Sequence, residues 1–296
     1  MKHLSFTLTL LFSAWTAVAE PTEISIEAID EKPSVNEKHN SSVIETSEQE
    51  VGEWKVSISL GYGQVESIIS NVDDYDLYFL PRVSYYGENF FLENTTMGYS
   101  LYEDERFYID LVGRLNEDGI YVKLDDFGVF SALGVQPPLR NPRMPPPPDV
   151  ERDISYLGGF AANYHLSGFD FRAGYYHDVT DVHYGYEADF TVSRNFILTD
   201  NWFLHINASA IHKSKKLLNY YYGTTARESV NPFFSYQPDS SGINYSFSIN
   251  SEYALSNNWA WQLLFKRTML SDEITDSNII DTTHTDTYFF GMKYTF

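Results

Sequence analysis

Apolar and polar residues alternate one by one along most of this chain. In WKVSISLGYGQV, Trp54, Val56, Ile58, Leu60 and Tyr62 fall on one face of an extended strand. Lys55, Ser57, Ser59, Gly61 and Gly63 fall on the other. VHYGYEADFTV sets Val182, Tyr184, Tyr186, Ala188, Phe190 and Val192 against His183, Gly185, Glu187, Asp189 and Thr191. GINYSFSINSEYAL repeats the arrangement, with Ile243, Tyr245, Phe247 and Ile249 opposite Asn244, Ser246, Ser248 and Asn250. A period of two marks strands with two unlike faces, and helical spacing appears in none of these segments. The chain ends on another such strand, TDTYFFGMKYTF. Tyr288, Phe290, Met292, Tyr294 and Phe296 share one face, and Phe289 alone breaks phase.

The connections fall into two kinds. Thr199-Asp200-Asn201 and Ser256-Asn257-Asn258 read as tight hairpin turns, because Asn and Asp tolerate left-handed backbone. Further tight links are expected near Gly87, Asp104 and Ser167. Two connections are long: Asn116 to Arg152, containing PPLRNPRMPPPPD, and Ser214 to Ser241. Polyproline cannot sit inside a sheet. Short turns at one end and long loops at the other predict an all-β fold, a transmembrane antiparallel β-barrel. Counting from Trp54–Val65 to His284–Phe296 gives about twelve strands, with ten as the second count because Asn89–Glu93 is a weak strand.

A soluble sandwich also alternates, so other features must decide. The strands reach about ten residues, the length a tilted strand needs to cross a bilayer. Trp54, Trp202, Trp259 and Phe296 stand at strand ends, where interfacial girdles belong. Arg82, Asp110, Arg114, Asp170, Arg172, Glu187, Asp189, Glu252, Lys266 and Lys293 all lie on the polar phase. A Lys or Arg facing lipid at mid-membrane would cost ~2–4 kcal/mol.

Composition sharpens this picture. The chain has 23 Tyr, 21 Phe and 5 Trp, yet its mean hydropathy is -0.32, as one-sided strands require. A formal charge of -21 argues against non-specific binding to nucleic acid or to anionic lipid surfaces, and the absence of Cys removes disulfides, thiolates and Cys-bound metal. Residues 1–19, with Lys2, an apolar run and Ala17-Val18-Ala19, read as a secretory signal peptide. The apolar run falls short of the ~20 residues of a membrane-spanning helix. From 20 to 52 the chain is acidic, with no aromatic before Trp54, and is expected to be a disordered periplasmic arm. It would serve as a solvated spacer or as a partner-binding segment. The barrel is expected over 53–296.

Several short stretches form a pattern by their order and spacing: Leu80-Pro81-Arg82 through Tyr85, Asn89-Phe90-Phe91-Leu92, Asp178-Val179 and the Gly185 strand. Tyr221-Tyr222-Gly223, Glu228, Tyr236-Gln237-Pro238, Gly242, Leu270-Ser271-Asp272, Asp276-Ser277 and Tyr294-Thr295-Phe296 continue the pattern. Together they resemble the MipA/OmpV family of Gram-negative outer-membrane proteins. Asn278 stands where the pattern carries Pro. The resemblance implies an outer-membrane location. For the MltA-interacting members it implies a scaffold joining a murein lytic transglycosylase to a penicillin-binding synthase.

The residues show no hydrolase, P-loop or dinucleotide fingerprint, and no cofactor, metal or catalytic site is expected. Asp178, Asp181, His183, Glu187 and Asp189 form the one acid–base cluster. It reads as a proton or cation site, or as a lumen ladder with Arg172 and Arg194. The expected lumen charge network is Arg82, Arg114, Arg172, Asp178, Glu187, Asp189 and Glu252. His183 and Ser193 make a poor nucleophile pair, separated by about ten residues, roughly 33 Å of strand. Tyr220–Gly223 could stack a sugar or pack on its loop base. The preferred reading is a non-enzymatic scaffold in outer-membrane lipid. A passive small-solute channel is the alternative, then a barrel-embedded hydrolase.

The terminal strand answers to closure: paired with the Trp54 strand, it leaves no edge in lipid. Tyr294 and Phe296 are the candidate assembly signal. Deleting Phe296 is expected to lower membrane-assembled protein more than it lowers the stability of the finished barrel. Membrane fractionation checks this, and normal levels of the truncated chain would contradict it.

Overall fold

The computed structural model describes residues 51–119, 135–136, 151–225, 228 and 235–296. The expected signal peptide, the acidic arm up to Glu50 and the polyproline stretch lie outside the described residues. The strands are β1 (Trp54–Val65), β2 (Tyr75–Tyr86), β3 (Phe90–Glu93), β4 (Thr96–Glu103), β5 (Phe107–Leu115) and β6 (Val135–Gln136). They continue as β7 (Tyr156–Leu166), β8 (Phe169–Asp178), β9 (Tyr186–Thr199) and β10 (Trp202–Lys213). After a helix, α1 (Lys215–Tyr222), come β11 (Gly242–Ala254), β12 (Trp259–Met269), α2 (Asp272–Thr275) and β13 (His284–Thr295).

Among the described residues, twelve strands form a closed antiparallel meander, and β6 is an addition to the edge of β2. The seam pairs β1 with β13, placing Gly61 opposite Gly291 and Gly63 opposite Phe289. Phe289 is buried at this seam. A Cβ on Gly63 would stand 2.9 Å from that of Phe289, and one on Gly291 would stand 2.8 Å from its ring. The phase break of the last strand is therefore an inward ring occupying the room that two glycines leave.

The tight links expected near Gly87, Asp104, Ser167, Asp200 and Asn257 all join strands at one end, with lengths that hairpins allow. Ser167 and Gly168 have φ of 53° and 78°, the left-handed pair a two-residue hairpin needs. The β3–β4 hairpin is short and stops inside the wall. At its tip the Val83 amide donates to Asn94 Oδ1 at 3.0 Å, and the Val83 carbonyl accepts from the Asn94 amide at 2.8 Å. Val83 therefore presents its backbone to the hairpin, and Pro81, two residues up, faces the same way. Among the described residues only β6 pairs with this edge of β2 beyond the hairpin, at Asp76–Leu77. The missing amide of Pro81 thus leaves no ladder bond broken.

Burial follows the sequence phase. Leu60 and Phe290 are 62% and 54% exposed, whereas Ser59 and Asn207 are 3% exposed. A closed barrel with polar residues inside and a continuous apolar band outside is made for lipid, since water would penalise so large an apolar patch. Trp54, Trp202 and Trp259 rim the short-turn end, together with Phe296 just past β13. Towards the other end, the Tyr62 hydroxyl donates to Asp76 at 3.0 Å and the Tyr288 hydroxyl to Gln64 at 2.9 Å.

The stretch from Ser214 was expected to be a loop, but it opens with α1. Ser214 caps the helix by accepting from the Leu217 amide at 3.4 Å. Leu217, Leu218, Tyr221 and Tyr222 are buried on one face against Ile68, Ile274, Ile279 and Ile280. Eight residues are too few for a clear helical period, which is why the alternation elsewhere concealed this one. The cluster forms a packed dome over the long-loop end of the barrel.

Candidate functional site

Alternation turns Arg114, Glu187, Asp189, Lys213 and Lys266 into the lumen just beneath the dome. Arg114 bonds Glu187, stands 3.0 Å from Asp189 Oδ2, and lies 4.1 Å over the Tyr176 ring. The Lys213 ammonium reaches Asp118 at 2.6 Å and Glu187 at 2.9 Å, and the Tyr222 hydroxyl donates to Asp118. Lys266 is 3.0 Å from Glu117. Glu117 and Asp118 belong to the turn that follows β5, so this turn folds into the lumen and is held by two lysines. A cavity among the described lumen residues, lined by Arg114, Glu187, Lys213 and Lys266, measures about 80 Å³. That is roughly half the ~150 Å³ of an engineered cavity that admits benzene.

The other expected lumen residues are placed as follows. Arg172 donates to the Tyr176 hydroxyl at 2.9 Å, and Glu252 pairs with Lys293 nearer the short-turn end. Arg82 makes no ion pair among the described residues. Asp178 joins no arginine; it closes its own loop, accepting from Thr180, His183 and Tyr184 amides at 2.9, 2.6 and 2.9 Å. Asp181 is exposed on left-handed backbone (φ 59°), away from the lumen pairs. Arg194 is not part of a lumen ladder: it lies 4.5 Å over Phe169 and 4.9 Å over Phe196, on the lipid phase of its strand. The single acid–base cluster expected from sequence is thus two separate assemblies. Glu117 and Asp118 carried no periodic signal and could not be anticipated.

The second assembly has the composition of a hydrolytic triad without its geometry. His183 Nε2 is 3.0 Å from Ser155 Oγ, and Asp178 Oδ2 is 3.9 Å from His183 Nδ1. However, Nδ1 accepts from the Gly185 amide at 2.9 Å, so it bears no proton. The proton sits on Nε2 and points at Ser155, the reverse of what a general base requires. Ser155 is also fully buried and takes a hydrogen bond from Tyr221 at 3.0 Å. Burial holds the imidazole below its ordinary pKa, against the pull of Asp178, which keeps it neutral. These groups stitch the loop before β7, the β8–β9 loop and α1 together. Ser193, the partner weighed from sequence, does not contribute.

Comparison with known proteins then bears on identity. A family model, "MltA-interacting protein MipA", matches residues 58–296. The chain belongs to the MipA family. A relative named MltA-interacting protein, from Escherichia coli strain K12, is 24% identical over 247 residues, covering 82% of this chain and 91% of the relative. The Shigella flexneri protein of the same name matches to the same extent. Among solved barrels, the NanC porin has TM-score 0.41 and 10% identity, covering 82% of this chain and 99% of its own. The KdgM porin has TM-score 0.37 and 10% identity, covering 81% and 99%.

In this MipA-family chain, several of the residues that carry the resemblance meet at the dome. The Ser277 hydroxyl donates to the Tyr222 carbonyl at 2.5 Å, and the Tyr236 hydroxyl to the Glu273 carbonyl at 2.9 Å. Glu228 pairs with Arg152 at 2.6 Å. Tyr220 packs on Tyr221 and its hydroxyl accepts from the Asp153 amide at 2.9 Å, so the aromatic run serves the loop base. Glu66, His284 and Asp286 bring ligand atoms within 4.8 Å of one another on the lipid-facing rim. Arg267 already holds both Asp286 oxygens, at 2.7 and 2.5 Å. This is an ion pair at the interface, not a vacant metal cage. It also shows that charges occur on the lipid phase near the rim.

The lysine that serves two buried carboxylates should matter most. Lys213→Met is expected to lower stability by about 3–5 kcal/mol, the usual cost of leaving a buried charge unpaired. Arg267→Met, at an exposed pair, should cost about 0–1 kcal/mol. Urea unfolding in detergent, followed by tryptophan fluorescence, measures both, and equal losses would contradict the assignment.

Proposed function

We propose that this MipA-family barrel is a non-enzymatic scaffold at the outer membrane that holds a murein lytic transglycosylase on its periplasmic side. The observation that carries the reading is the filled interior. Ion pairs with Glu117 and Asp118 cross the lumen under a packed dome, and among the described residues no nucleophile stands beside a free base. What is left to act is the periplasmic rim of short turns and the acidic segment preceding β1. The printed name of the relatives supports a murein-cleaving partner, and a penicillin-binding synthase would be the second member of the same assembly.

The test is retention of a transglycosylase from solubilised cell envelopes on the immobilised full chain, read by murein zymography. The reading expects retention above that of an unrelated barrel, and none would overturn it. A chain lacking residues 20–50 separates the two surfaces. Loss of retention assigns the contact to the arm, and unchanged retention assigns it to the barrel rim.

A further inference from the structure

One patch on the long-loop rim combines features the scaffold reading does not use. On the lipid-facing phase, Tyr175, Tyr186 and His212 stack across three neighbouring strands. Ring centroids are 5.2 Å apart for the first pair and 5.7 Å for the second, with interplanar angles of 29° and 21°. Ala188 sits opposite both Tyr175 and His212 in register, and its small side chain leaves the rings space to lie flat. Tyr184, beside them, is exposed on left-handed backbone (φ 52°), held there by the Asp178 carboxylate. An aromatic fixed in a strained, outward conformation is a recurrent property of recognition loops.

Two cations follow the outer end of β10, whose His212 belongs to the stack. Ser214 exchanges hydrogen bonds with Tyr186, at 3.0 Å from its amide and 2.9 Å to its hydroxyl. Lys215 and Lys216 follow directly and are both exposed. At the same end Arg152 and Arg267 are neutralised by Glu228 and Asp286, whereas Lys215 and Lys216 make no ion pair among the described residues. Two adjacent exposed lysines in a chain of formal charge -21 form a local anion-attracting surface. An ordinary interfacial girdle needs the aromatics alone.

The setting selects the anion. Level with the rings, Phe160 lies opposite Tyr175 in register, and below them Phe190 continues the apolar lipid-facing surface; the two are 56% and 50% exposed. Only acyl chains cover such a surface, so the anion that meets both the rings and the lysines is a headgroup joined to acyl chains. We infer that the outer ends of β8, β9 and β10 with the start of α1 bind a phosphate-bearing lipid headgroup of the outer leaflet. Lys215 and Lys216 take the phosphate, and the Tyr175–Tyr186–His212 stack supports the headgroup.

The full chain in detergent, titrated with bisphosphorylated lipid A and observed by native mass spectrometry, tests this. Bound lipid should be retained on the wild type, and dephosphorylated lipid A should be retained far less. Each lysine near a lipid surface contributes about fivefold in affinity, so Lys215→Gln with Lys216→Gln should lower retention at least tenfold. Tyr186→Leu should lower it about threefold. Arg106→Gln, at the opposite rim, should leave it unchanged. Heat-modifiable gel mobility reports that each variant is folded. Equal retention by the lysine variant overturns the inference, as does displacement of the lipid by millimolar inorganic phosphate, which would mark a free-anion site.

Discussion

In lipid, a strand wall has no water to satisfy its polar groups, so every polar atom must find its partner within the protein. That constraint organises this molecule twice. For the backbone it demands closure, met by the β1–β13 seam. It also allows Pro81 only on the β2 edge that no full strand pairs with. For the side chains it demands that the inward half of each strand be mutually satisfied. Buried charges are costly unless paired, and here the pairs are made by importing Glu117 and Asp118 from the turn after β5.

The interior is therefore occupied by the chain itself. A conducting barrel keeps its inward charges in water; here Arg114, Glu187, Lys213 and Asp118 are locked to one another, with Tyr222 of the dome as a further donor. The dome is secured in turn by the Ser155–His183–Tyr221 knot. These locked pairs support the proposed scaffold over catalysis or passage. Among the described residues, the short-turn rim carries its tryptophans and the outer rim its aromatic and lysine patch.

Much of this architecture was legible because a period of two is local. The twelve strands, the tight links and the inward placement of Arg114, Glu187 and Lys266 follow from runs of about ten residues. What stayed hidden depends on contacts distant in sequence. Lys266 meets Glu117 across 149 residues, and Ser155 meets His183 across 28. α1 was hidden for another reason, being two turns of helix in a chain dominated by alternation. Arg194 misled because charge alone suggested the lumen, whereas phase puts it on the lipid side, near the interface and over two rings. Phe289 was visible as an anomaly, but its cause, Gly63 across the seam and Gly291 beside it on β13, needed the register.

If its own ion pairs close the lumen, the folded barrel should not conduct. Single-channel recording of the purified full chain in planar bilayers should then show no discrete conductance steps from the wild-type protein at moderate voltage. Regular open-channel steps, present in the folded protein and absent from protein-free bilayers, would contradict that closure.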